Sequence, residues 1–189
     1  MPSDEDKILP EPWRSFLREL DQIATETVSF HCIGGFVVTR YYGFSRETGD
    51  VDVLSITPNA QRQAFIEIGA RGSALHNKYS VYLDSVTVIP AYPENYGSRL
   101  IEMYPGQLER IRLFALEAHD LALTKLGRNI ERDREDVKYL ARKGHINVED
   151  LRLRYRDEMR PYIAIPEQRS DQTLELWVEM ISEELSTPK

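Results

Sequence analysis

Two aspartates one residue apart, Asp50 and Asp52, stand in the stretch Asp50-Val-Asp-Val-Leu-Ser-Ile56. The β-branched and aliphatic residues predict a strand, closed by Thr57-Pro58-Asn59. Alternate residues of a strand share a face, so both carboxylates project together while Val51 and Val53 enter the core. Two aligned carboxylates repel each other and call for a divalent cation. Mg²⁺ suits that oxygen environment, completing its octahedron with water and phosphate oxygens. Upstream, Val28-Ser-Phe-His-Cys-Ile33 predicts a buried strand that ends in Gly34-Gly35, where a short helix from Phe36 to Tyr42 follows. Glycines at such a junction let backbone N–H groups approach a phosphate, and a helix N-terminus favours its charge. Taken singly, each feature has a plain reading: a solvated edge strand for the D-x-D, a tight turn for the Gly-Gly. In this order they make an arrangement for metal and phosphate.

The stretch Ile33-Gly34-Gly35-Phe36, followed by Tyr42-Gly-Phe-Ser-Arg46-Glu-Thr48-Gly-Asp50-Val-Asp52-Val, resembles the DNA-polymerase-β-like nucleotidyltransferase superfamily. Further on, His119-Asp120-Leu-Ala-Leu-Thr-Lys125-Leu-Gly-Arg128 and Arg132-Asp133-Arg-Glu-Asp136 are similar to the Lys motif and the Arg-Asp-x-x-Asp helix of AbiEii-type bacterial nucleotidyltransferases. Members of that group are often toxins of toxin–antitoxin or phage-defence pairs. The likeness spans roughly residues 30–145. It implies that Asp50 and Asp52 hold Mg²⁺, that Gly34-Gly35 receives the triphosphate of an NTP, and that Lys125 contacts a phosphate. Arg46 and Thr48 belong to the lead-in, and Arg46 is a second phosphate candidate. The third acid is open between Asp84, on a later strand, and Asp133 or Asp136, three apart on one helix face. The plain alternatives are an exposed helical lysine for Lys125 and a surface salt-bridge helix for Asp133 and Asp136, which sit among Arg132, Arg134 and Lys138.

These residues need elements to hold them. Trp13, Phe16, Leu17, Leu20 and Ile23 recur at helical spacing within residues 10–26, and Ala64, Phe65 and Ile68 do so within 59–70. Tyr79-Ser-Val-Tyr-Leu-Asp-Ser-Val-Thr-Val-Ile89 predicts one or two strands, and Ile111-Arg-Leu-Phe114 another. From Ala118 the pattern is helical, in pieces at 118–127, 131–143, 147–160 and 170–185, broken by Gly127, Gly144 and Pro161/Pro166. The expected fold is an α/β (α+β) nucleotidyltransferase fold, a mixed sheet with flanking helices followed by a helical C-terminal part. The expected division is 1–116 for the core with its N-terminal helix and 117–189 for the helical part, packed on the core as one unit. The stripe Leu174, Trp177, Ile181, Leu185 predicts a helix packed on the domain, with a partner-binding face as the alternative.

Composition narrows the function classes. The chain has 189 residues, 24 Lys+Arg against 31 Asp+Glu, and a net charge of −7. That balance argues against sequence-blind coating of nucleic acid, which needs excess cations to displace counterions. The acidity is concentrated at the ends: residues 1–26 hold 7 acidic and 3 basic residues, residues 167–189 hold 6 and 2, and the middle nets +1. A tRNA end or a nucleotide in a cleft thus stays open. The single cysteine, Cys32, sits in an apolar strand and is expected to pack, allowing no internal disulfide. His31, His76, His119 and His145 lack metal-ligand spacing and are expected in core or surface roles. The polar, acidic start is unlike a signal or transit peptide, and no apolar run reaches membrane-spanning length, so a cytoplasmic location is expected. The reaction expected is transfer of an NMP from an NTP to tRNA, protein or a small molecule, with a cognate antitoxin as a possible partner. The alternative is a catalytically silent NTP-binding or interaction module of the same fold.

Overall fold

Val28, Phe30 and Cys32 alternate with Ser29 and His31, and this period of two makes the buried strand β1 (Val28–Cys32). Strand β2 (Asp50–Thr57) runs antiparallel to it, and β3 (Tyr82–Ser85) pairs parallel with β2. On the other side of β1 lies the parallel strand β5 (Ile111–Ala115), edged by the antiparallel β4 (Ile101–Met103). The result is a mixed five-stranded sheet of order β3-β2-β1-β5-β4. Register shifts between His31 and Cys32, a local bulge that places Cys32 opposite Val53. The Ile33 N–H then donates to the Asp52 carbonyl at 2.9 Å, which brings the chain after β1 alongside β2. The computed structural model describes residues 8–86, 91–163 and 167–186.

The chain divides into two compact units, Met1–Thr87 with Leu100–Ala115, and Val88–Arg99 with Leu116–Lys189. In the first, the sheet is accompanied by α1 (Trp13–Ile23), α2 (Gly34–Arg40), α3 (Arg62–Gly69) and α4 (Ala74–Tyr79). The α1 stripe Trp13, Phe16, Leu17 and Leu20 is buried, and Phe30 of β1 meets Phe65 of α3 edge-on at 5.2 Å. Asp21 departs from the apolar stripe for a reason. Its carboxylate accepts the N–H groups of Glu109, Arg110 and Ile111 at 2.7, 2.9 and 2.6 Å, tying α1 to the start of β5.

The second unit is built from α5 (Ala118–Lys125), α6 (Glu131–Arg142), α7 (Val148–Arg154) and α8 (Glu167–Ser186). Helix α6 packs on α5 and α8, and α7 packs on α5 and α8. Leu174, Trp177 and Ile181 of α8 are buried, whereas Leu185 is exposed. The Trp177 Nε1 donates to Asn129 Oδ1 at 2.8 Å, giving the one polar atom of that ring a partner. Arg99 grips the buried Asp120 with two hydrogen bonds, at 2.8 and 3.0 Å, and also bonds Glu158. That clamp joins the turn at Glu94–Arg99 to the helices.

Several elements differ from the sequence expectation. Helix α4 and strand β4 were not expected; at six and three residues they are too short to show a period. The stretch 79–89 yields β3, while Thr87, Val88 and Ile89 lie outside the described residues. The helix expected over 147–160 is α only to Arg154; Tyr155–Met159 widens into a π turn and Arg160–Tyr162 tightens to 3₁₀ at Pro161. Among the described residues, no helix is long and apolar enough to cross a membrane.

Candidate active site

The site begins where β1 ends. Gly34 has φ +64, the left-handed region that side-chain-bearing residues avoid. A Cβ there would lie 2.0 Å from Asp52 Oδ2, so conformation and contact both require glycine. The next residue, Gly35, donates its N–H to the same Asp52 oxygen at 3.1 Å. A Cβ on Gly35 would stand 2.9 Å from Arg46 Nη2 and 3.0 Å from Thr48 Oγ1. The Gly34-Gly35 turn is thus packed between Asp52 on one side and Arg46 and Thr48 on the other.

β2 supplies the acids. Val51 and Val53 are buried while Asp50 and Asp52 stay half-buried on the opposite face, as period two requires. In the parallel register with β3, Asp50 pairs with Tyr82 and Asp52 with Asp84. Tyr82 and Asp84 share the face of the two β2 acids, and Asp84 is exposed. Asp50, Asp52 and Asp84 each present a carboxylate oxygen within 4.8 Å of the others. Thr48 Oγ1 donates to Asp50 Oδ1 at 2.9 Å, fixing that carboxylate's rotamer, and the Tyr82 hydroxyl is 3.5 Å from Asp50 Oδ2. Burial raises the Tyr82 hydroxyl above its ordinary pKa, and the negative charges of Asp50, Asp84 and Asp52 add to the rise. Beneath the acids, burial pushes the Cys32 thiol well up, with Asp52 adding to it, so Cys32 is an inert core residue.

Three oxygen-donor carboxylates at this separation suit a hard divalent cation such as Mg²⁺, and among the described residues no soft ligand joins the group. A divalent cation would offset the mutual repulsion of the three carboxylates. Tyr82 was not singled out from the sequence. The available signal was its place two residues before Asp84, which puts both on one strand face.

Lys125, Asp133 and Asp136 have another setting, inside the helical unit. The Lys125 ammonium is buried, 2.9 Å from Asp136 Oδ2 and 3.5 Å from Asp133 Oδ1. Asp133 also accepts two hydrogen bonds from Arg128, at 2.8 and 2.6 Å, and the Ile130 N–H at 3.3 Å. Burial raises the Asp133 carboxyl, but the hydrogen bonds from Arg128 and the charge of Lys125 outweigh it and hold the group below its ordinary pKa. The phosphate contact expected of Lys125 meets an ammonium enclosed between two acids, and the acids expected at the site are fully buried in the same cluster. The surface salt-bridge alternative is corrected: the pairs of Lys125 with Asp133 and Asp136 are internal. Asp133 and Asp136 lie on the buried stripe of α6 with Val137, Leu140 and Ala141, a spacing that points inward.

The histidines act as core and bracing groups. His119 uses both ring nitrogens: Nδ1 meets Glu117 Oε1 at 2.8 Å, and Nε2 accepts the Asn147 N–H at 3.0 Å. His31 stands edge-on to Phe114, with ring centroids 6.3 Å apart. His76 accepts the Gly72 N–H on Nδ1 at 2.9 Å.

Residues 14–185 match the model of a family described as nucleotidyltransferase of unknown function (DUF6036). No curated protein and no solved structure matches the chain.

Proposed function

Because the chain belongs to the nucleotidyltransferase family that residues 14–185 match, we propose that it moves a nucleoside monophosphate from an NTP to an acceptor at Asp50, Asp52 and Asp84. The observation that carries this reading is the convergence of three carboxylate oxygens within 4.8 Å beside the Gly34-Gly35 turn. Asp50 and Asp52 would hold Mg²⁺ and Asp84 is the third acid. Bound there, the cation supplies charge neutralisation at the reacting phosphate.

The protein's part is positioning and electrostatics, which is most of what phosphoryl and nucleotidyl transfer demand. The Gly34-Gly35 turn lets Asp52 approach the backbone and holds it through the Gly35 N–H, and Arg46, packed above Gly35, meets the charge of the triphosphate. Thr48 holds Asp50 in its rotamer. Asp84, the exposed acid, takes the proton from the acceptor hydroxyl. The acceptor oxygen then bonds to the α-phosphorus, the bond from that phosphorus to the bridging oxygen breaks, and pyrophosphate leaves with the electron pair.

Incubation with each α-labelled NTP, Mg²⁺ and a cell lysate tests the reading and identifies the acceptor as RNA, protein or small molecule. Label is expected on one acceptor class with wild type and on none with Asp52→Asn. Absence of transfer from all four NTPs overturns the proposal. A toxin role, with its cognate antitoxin, rests on the AbiEii-type resemblance. It requires growth arrest on expression that Asp50→Ala abolishes, and arrest that persists in Asp50→Ala rejects it.

A further inference from the structure

The triad has two flanks on the sheet. On one, the loop between α2 and β2 lays Arg46, the cation assigned above to the NTP, against Gly35. The other flank is the outer strand β3 and the segment that precedes it, and it carries a second cation. The Arg71 guanidinium stands 5.7 Å from the centroid of the Tyr82 ring. Arg71 is exposed, and among the described residues it has no carboxylate partner, although three acids lie on the strands beside it. An arginine held near acids but paired with none keeps its charge available for a ligand.

Its surroundings are braced. His76 stands edge-on to Tyr82 with ring centroids 5.3 Å apart, while its Nδ1 accepts the Gly72 N–H. Ser73 N–H bonds Ala70 O at 3.0 Å, closing the turn that carries Arg71. The Tyr82 hydroxyl is within 3.5 Å of Asp50, so the ring spans from Arg71 to the acids themselves. An aromatic ring for stacking with a guanidinium for phosphate is the pair of groups by which proteins hold an unpaired nucleotide.

We infer that Tyr82 and Arg71 form the acceptor platform, and that the acceptor is the end of a single-stranded nucleic acid. The terminal base stacks on Tyr82, the adjoining phosphate meets Arg71, and the terminal hydroxyl faces Asp84. A polycationic small molecule would be repelled by Arg71, and a protein side chain has no use for the stacking ring. The inference rests on the transfer reading for its direction, because Arg46 is taken as the NTP side.

Two probes and three variants separate the flanks. Fluorescence anisotropy with a dye-labelled single-stranded RNA hexamer reads the platform, and mant-labelled NTPs read the other side. Arg71→Ala and Tyr82→Ala should each weaken RNA binding about tenfold, and Tyr82→Phe, which keeps the ring, should not. Arg71→Ala should also lower the salt slope of RNA binding by about 0.7 and leave mant-NTP affinity within twofold. Wild type that binds no RNA, RNA affinity indifferent to Arg71→Ala, or equal loss of both probes overturns the platform. So does label transfer to protein that is insensitive to Arg71→Ala. RNA binding that depends on Arg71 in a protein that binds no mant-NTP supports the platform and overturns the transfer reading instead.

Discussion

Gly34 concentrates the residue-scale argument, because one hydrogen in place of a methyl decides whether Asp52 has room. In Gly34→Ala the Cβ would fall 2.0 Å from Asp52 Oδ2 at a backbone φ of +64. The acid or the turn must then move by an ångström or more, and nucleotidyl transfer should drop about 100-fold. Labelled-NTP transfer beside a thermal melt checks this, since a folded but inactive variant locates the fault at the site. Asp50, Asp52 and the Gly-Gly turn were legible in the sequence because strand period and turn chemistry are local. Asp84 was only one of three contenders for the third acid. Its place beside Asp50 and Asp52 depends on β3 pairing in register with β2, and no local pattern encodes that pairing.

Elements are held together by buried charges that a hydrophobic pattern does not reveal. Asp21 sits on the buried face of α1, where a pattern reader sees a polar break, yet it accepts three N–H groups at the head of β5. Asp21→Ala leaves those donors without their acceptor and should cost about 3 kcal/mol, measured as a shift in the urea midpoint. The cluster joining α5 to α6 makes the same point. Lys125→Met leaves Asp133 and Asp136 buried with their ammonium gone, an expected loss of about 3–5 kcal/mol in urea unfolding. Long helices and the central strands were legible from periodicity. The six residues of α4, capped by Ser73 and closed by Ser80 at φ 58, were not, nor was the π turn after α7, because each is shorter than the period that would announce it.

At the scale of the molecule, acid should unfold the helical unit through its paired carboxylates. Burial raises Glu117, but the hydrogen bond from His119 Nδ1 and the Arg154 guanidinium hold it down to about 2, against 4.5 for the ordinary group. A depressed carboxylate stabilises the fold above its unfolded pKa and loses that contribution as pH falls toward the folded value. Helical circular dichroism should therefore decline between about pH 4.5 and 2, and Glu117→Gln should flatten that dependence. The net charge of −7 belongs mainly to the two ends of the chain and leaves the middle near neutral, so the triad is not embedded in a uniformly acidic field. Parallel reactions with one NTP labelled at the α- or the γ-phosphate test the central claim most directly. The account predicts α-label on the acceptor, γ-label released in pyrophosphate, and no α-transfer by a folded Asp52→Asn protein. γ-Label on the acceptor, or undiminished α-transfer by Asp52→Asn, would contradict it.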